Sequence, residues 1–176
     1  MEPIGHYHPA IVHAPIGLII VSALFELIGR ATDIVWWRKA AFAMLVTGAL
    51  AGTLAAFSGF SAEEAAAHDQ GVPETPIERH EQAAIWTLAV GVAAIVTRAS
   101  APRMGSARPL VSAIALVLHL AAAVLVGVTG YRGGELVFEN AAGVRLHGAL
   151  LRSGPPRAPR LHETAEKPAA SPAATQ

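Results

Sequence analysis

The sequence predicts an all-α protein whose four helices cross a membrane and pack as a bundle. Three observations predict it. Charged residues are 15% of the 176-residue chain, far below the roughly 25% of a soluble domain. Mean hydropathy is +0.44. Four apolar runs, Pro9–Gly29, Ala40–Phe60, Pro76–Thr97 and Pro109–Gly130, are 21 to 22 residues long. At ~1.5 Å per residue each spans about 31–33 Å, which matches a hydrocarbon core of ~30 Å. Only helices satisfy their own backbone groups in lipid without closing into a barrel.

Three of the four runs have a marked beginning. Pro9, Pro76 and Pro109 suit the first helical turn, where a missing N–H costs nothing. Thr75-Pro-Ile-Glu78 reads as a capping box. The third run needs that start, because its uninterrupted apolar part begins only at Ala83. Pro15 cannot donate to Ile11, which predicts a kink near His13. Gly133 to Asn140 reads as an interfacial turn and short segment. Residues 1–150 thus form one transmembrane domain. Residues 151–176 form a tail, Pro/Ala-rich from Ser153, with no apolar face to dock.

Loop charge orients the bundle. Arg30, Arg38 and Lys39 follow the first helix, and Arg98, Arg103 and Arg108 follow the third. Between them Ser61–Thr75 carries Glu63, Glu64, Asp69 and Glu74 and no cation. The positive-inside rule places the basic loops in the cytoplasm and both termini outside. The cations of the C-terminal stretch oppose this, but most lie far from the last helix, where the rule weakens. Trp36 and Trp37 then mark the inner interface, and Tyr7, Phe60 and Tyr131 the outer one. Residues 1–8 contain Glu2 and no Lys or Arg, so no cleavable signal peptide is expected.

Composition excludes several functions. Net charge is zero, which gives nucleic acid no footprint. With no cysteine there is no disulfide, thiolate metal site or thiol catalysis. No nucleophile triad, phosphate loop, HExxH or CxxC occurs. An electron-transfer or accessory role is expected rather than an enzyme.

Eight histidines are the unusual feature of so apolar a chain. His13 and His80 each lie four residues inside a proline-marked start, ~6 Å down their helices. Two histidines at equal depth on parallel helices suit a b-type haem or a metal ion. Gly17, Ala83 and Ala84 would flank them, and Arg79 and Arg132 would meet haem propionates. Small residues also permit simple close packing, and Gly48-x-x-x-Gly52 is a packing motif. His8, His13, His80 and His119 are the metal-ligand candidates, with His8 beside His13 as a further haem-site residue. His119 falls near midplane, where a proton relay or a hydrogen bond across the bundle would occupy it. Glu26 has Arg30 one turn on as its i,i+4 partner. His6, His68 and His147 also fall on the outer side, where they could extend a metal site, although exposed loop histidines are usually just solvated. A weak repeat aligns Pro9-x-x-x-His13 with Pro76-x-x-x-His80 and Gly59 with Gly130, as two related helical hairpins would.

The motif His8-Pro-x-x-Val-His13-x-Pro-Ile16 resembles the hallmark of a prokaryotic membrane family, domain-of-unknown-function family 2231. His80 and Gly133-Gly-x-Leu-Val-Phe138 extend the resemblance over residues 6–150. Two departures are Ala14, where the family has an aromatic, and Asn140-Ala-Ala-Gly-Val144, where it has a His/Gly-rich ending. The resemblance implies a four-helix protein of the bacterial inner membrane. Relatives joined to cytochrome c-like domains suggest a c-type cytochrome or other redox subunit as partner. The leading expectation is a membrane protein that binds haem, or a metal, on its outer side and serves redox chemistry. The rivals are a small ion, metal or proton transporter using His119 and Glu26, and a structural subunit of a membrane complex.

Overall fold

A computed structural model describes residues 4–68, 70–147 and 149–151. The expected tail beyond Leu151 and the side chains of His6 and His68 lie outside the described residues. Four spans long and apolar enough to cross a membrane are present, His8–Thr32, Val35–Glu63, Glu74–Arg103 and Gly105–Phe138. The first is divided into α1 (His8–Ile11) and α2 (His13–Thr32). The others are built on α3 (Val35–His68), α4 (Glu74–Ser100) and α5 (Arg108–Phe138). A two-residue hairpin, β1 (Arg145–Leu146) with β2 (Ala149–Leu150), follows outside the bundle.

The break between α1 and α2 falls at Val12, where the prolyl nitrogen of Pro15 leaves Ile11 without an i+4 donor. The ladder resumes as Ile16 N–H donates to Val12 O at 3.3 Å. The kink expected near His13 corresponds to this interruption.

Helix ends differ from the sequence expectations in one direction, because every helix runs past its apolar segment. The α2–α3 connection is only Asp33 and Ile34, with Asp33 in the left-handed region at φ 54°. Trp36, Trp37, Arg38 and Lys39 therefore belong to the first two turns of α3, not to a loop. The acidic loop shrinks likewise, since α3 continues to His68. There Gly71, at φ 62°, lets Val72 N–H reach back to Ala66 O, a six-residue closure that satisfies a terminal carbonyl. The Thr75 capping box does not form: α4 begins at Glu74 with Pro73 as N-cap and no side-chain cap bond. Gly133–Phe138 is helix, not an interfacial turn. Two glycines weaken a helix in water, but at a bilayer edge the helix keeps backbone groups paired.

The helices run alternately up and down. α2 packs on α3, α4 packs on α5, and α2–α5 and α3–α4 contacts close the bundle. Its centre is a layer of Ile19, Leu45, Ala94, Ala122 and Val126. Small side chains let the backbones close. At Gly48 an added Cβ would lie 2.8 Å from Ile19 Cγ1, and at Gly52 2.9 Å from Leu88 Cδ2, so Gly48-x-x-x-Gly52 is a packing motif here. Leu50, Leu54, Phe57, Trp86, Val117 and Val124 are exposed around the outside, the apolar belt that lipid covers. A second cluster, Ala66, Val72 and Ile77 with Leu136 and Ala142, packs beside the histidine end of the bundle.

Candidate functional site

Buried polar residues fall into two groups on either side of the apolar layer. The first is at the end where α1 and α4 begin. His8 and His80 face each other there, with ring centroids 6.4 Å apart and planes at 85°. Both rings are half-buried.

Helix phase brings them together. The inward stripe of α2 is Pro15, Ile19, Ser22 and Glu26, and His8 lies seven residues before Pro15. The inward stripe of α4 is Ala83, Thr87, Gly91 and Ala94, and His80 lies seven before Thr87. Seven residues return to nearly the same face of a helix. His13 is five from His8, about 140° around at 3.6 residues per turn. It is exposed, and its Nδ1–H donates to Pro9 O at 2.6 Å within its own turn. Gly17, one turn below, is also exposed and has nothing within 4 Å of an added Cβ. The expected His13–His80 pair flanked by Gly17 is thus corrected to His8–His80, because His13 and Gly17 share the outward face.

The two histidines are held in the same way on the two hairpins. His8 Nδ1 lies 3.0 Å from Ala55 O and 2.9 Å from Ser58 Oγ on α3. His80 Nδ1 lies 3.1 Å from Thr129 O on α5. A carbonyl only accepts, so each Nδ1 carries the proton and each neutral ring keeps the lone pair on Nε2. A glycine one turn past each carbonyl makes room for the ring. A Cβ on Gly59 would sit 3.2 Å from His8 Cε1, and one on Gly133 3.2 Å from His80 Cε1. By these contacts His8 corresponds to His80 and Gly59 to Gly133, a different register from the Pro9-x-x-x-His13 and Pro76-x-x-x-His80 alignment. Below His80, Thr87 and Thr129 share a hydroxyl hydrogen bond of 2.9 Å. Above it, Arg132 donates to Arg79 O at 2.6 Å. Arg132 is half-buried and Arg79 exposed.

The second group lies beyond the apolar layer. His119 is 1% exposed, and its Nε2 lies 2.7 Å from Ser22 Oγ. The Ser22 hydroxyl donates to Ile19 O at 2.7 Å, so His119 donates through Nε2–H and its buried Nδ1 has no partner among the described residues. This contact is a hydrogen bond across the bundle, from α5 to α2. Ten residues of α5 separate it from Thr129, about 15 Å, so His119 is not part of the His8–His80 pair. One turn past Ser22, Glu26 is 1% exposed. It accepts from Arg30 Nε at 2.9 Å, as expected, and from Arg98 of α4. Arg98 was not visible as a partner, since no local spacing links α2 to α4. Arg98 also donates to Arg38 O, and Arg30 to Ser112 O at 3.1 Å.

Among the described residues no group of three or more His, Asp or Glu is assembled as a metal cage. His147, in the β1–β2 turn, is exposed.

A four-helix membrane protein with a half-buried histidine pair at one end is the class that fold and site define. The chain belongs to the family of predicted membrane proteins designated DUF2231, whose profile matches residues 5–146. That description names no activity. No curated protein and no solved structure matches the chain.

Proposed function

We propose that the protein binds b-type haem between His8 and His80 and serves electron transfer in the membrane. The observation that carries this reading is the matched pair of Nδ1–carbonyl hydrogen bonds. Metal-bound histidines characteristically donate their other ring N–H to a carbonyl or carboxylate, which fixes the tautomer and leaves Nε2 as ligand. With metal–imidazole bonds of ~2.0–2.1 Å, two rings on opposite sides of one ion stand roughly 6 Å apart between centroids. The 6.4 Å separation fits that spacing. Two protein donors are few for a zinc-type site, which takes three or four. They suffice for haem, whose macrocycle brings its own nitrogens. The group would supply one-electron chemistry. The chain would hold it through His8 and His80, admit it beside Gly59 and Gly133, and offer Arg132 and Arg79 to propionates. The transport alternative has His119 and Glu26 in its favour. The Ile19, Leu45, Ala94, Ala122 and Val126 layer separates them from the histidine pair and interrupts a polar path.

The test is the absorption spectrum of protein purified from membranes of cells supplied with haem precursor. A Soret band with a bis-histidine pyridine-haemochrome signature supports the reading. Colourless protein that stays colourless on haem titration overturns it.

We infer further that the protein lies in the bacterial inner membrane with the His8–His80 end outside and the Glu26 end in the cytoplasm. Arg30, Arg38, Lys39, Arg98, Arg103 and Arg108 gather at the Glu26 end, as the positive-inside rule requires of the cytoplasmic side. The chain has no cysteine, so single cysteines report cleanly. Thr75→Cys should react with an impermeant maleimide in intact spheroplasts and Met104→Cys should not. The reverse pattern would invert the orientation.

A further inference from the structure

We propose that the Glu26 end holds a binding site for a phosphate group, filled in the membrane by the headgroup of an anionic lipid. A cavity of about 170 Å³ opens there, lined by Glu26, Arg30, Arg38, Arg98, Arg108 and Ser112 among others. Four arginines and one glutamate line it, a formal excess of three positive charges. Glu26 is already engaged by Arg30 and Arg98. Neither Arg38 nor Arg108 has a carboxylate partner among the described residues, and the buried Nε of Arg38 has no hydrogen-bond partner there. A buried donor on a cation is costly unless an acceptor reaches it, and guanidinium groups suit phosphate oxygens in particular.

Size and depth agree. At ~30 Å³ per water, the cavity holds the equivalent of about five or six waters, room for a phosphate with its ester oxygens. It lies where α2 ends, α3 begins and α4 turns into α5. Trp36, 62% exposed, and Trp37 sit in that same first turn of α3. Tryptophan collects at headgroup level, and basic pockets between helices at this depth suit anionic headgroups. The site is independent of the histidine pair.

The experiment is native mass spectrometry of the full chain released from detergent, with phosphatidylglycerol, phosphatidylcholine or inorganic phosphate added. Arg38→Gln, Arg108→Gln and the double variant spare the Glu26–Arg30–Arg98 cluster, and Arg108 is exposed, so its replacement leaves packing intact. Phosphatidylglycerol adducts should form on the wild type, exceed those of phosphatidylcholine, and weaken about tenfold in each variant as a charge-assisted contact is lost. Competition by inorganic phosphate supports the shared phosphate chemistry. Phosphate binding that the variants abolish, without any lipid adduct, supports the site and assigns it to a soluble anion. Adducts of equal strength in wild type and double variant, or no binding of either probe, overturn it.

Discussion

On the proposed haem reading, His8→Ala and His80→Ala should each abolish haem binding by the purified protein, while His13→Ala should not. The expectation follows from helix phase. His8 and His80 lie on the inward stripes of their helices and approach to 6.4 Å, whereas His13 is exposed and closes on Pro9 O. If the pair holds haem, either substitution removes one of its two protein donors, so the Soret band should fall to background. Ser58→Ala offers a graded control. Its hydroxyl lies 2.9 Å from His8 Nδ1, but Ala55 O remains as acceptor. Losing an outer-shell partner costs about 10–100-fold in metal affinity, and the surviving carbonyl places this change near the lower limit. His119→Ala should leave the band unchanged, because His119 hydrogen-bonds Ser22 beyond the apolar layer. A band lost in His13→Ala and kept in His8→Ala would refute the pairing.

Glu26→Ala should be among the most destabilising single changes in the chain. The carboxylate is 1% exposed and pairs with Arg30 and Arg98 from two different helices. Removing one member of a buried ion pair leaves uncompensated charge and costs about 3–5 kcal/mol. Arg98 bears most of that cost, since its side chain is 20% exposed against 31% for Arg30. Arg30→Ala should cost under about 1 kcal/mol, as partly exposed pairs do. Thermal or chemical unfolding in detergent, compared across both variants, measures the difference. If Glu26→Ala unfolds within ~0.5 kcal/mol of the wild type, the guanidinium groups find other partners and the cluster is not a structural clamp.

The span count was legible because lipid imposes a length and an apolar composition that 176 residues display directly. The interruption near His13 was legible for an equally local reason, the missing N–H of Pro15. Helix ends are not legible in the same way, because hydropathy reports where the hydrocarbon stops, and helices need not stop there. Trp36 to Lys39 and Gly133 to Phe138 lie outside the apolar runs and are nonetheless helical.

The site was half legible. Depth along the helices pairs His13 with His80 and says nothing of facing; the structure turns His13 outward and brings His8 to His80. A seven-residue phase through His8, Pro15 and Ser22, matched by His80, Thr87 and Ala94, was present in the chain and would have selected His8. Depth along a helix and direction around it are separate quantities, and only the second decides which rings meet. A second seven-residue step on the same inward face, from Ile19 to Glu26, carries Glu26 to the core.

Composition and periodicity determined the four spans, the basic end, the Glu26–Arg30 pair and the presence of histidines at one end. The Arg98 partner of Glu26, the Ser22–His119 hydrogen bond and the carbonyls of Ala55 and Thr129 that set the tautomers of His8 and His80 came from assembly alone. Each joins residues at least 47 apart in the chain. Local sequence governs which way a helix begins and which face is apolar. Which faces meet depends on how two hairpins pack, and that is set by small-residue contacts summed over the whole bundle.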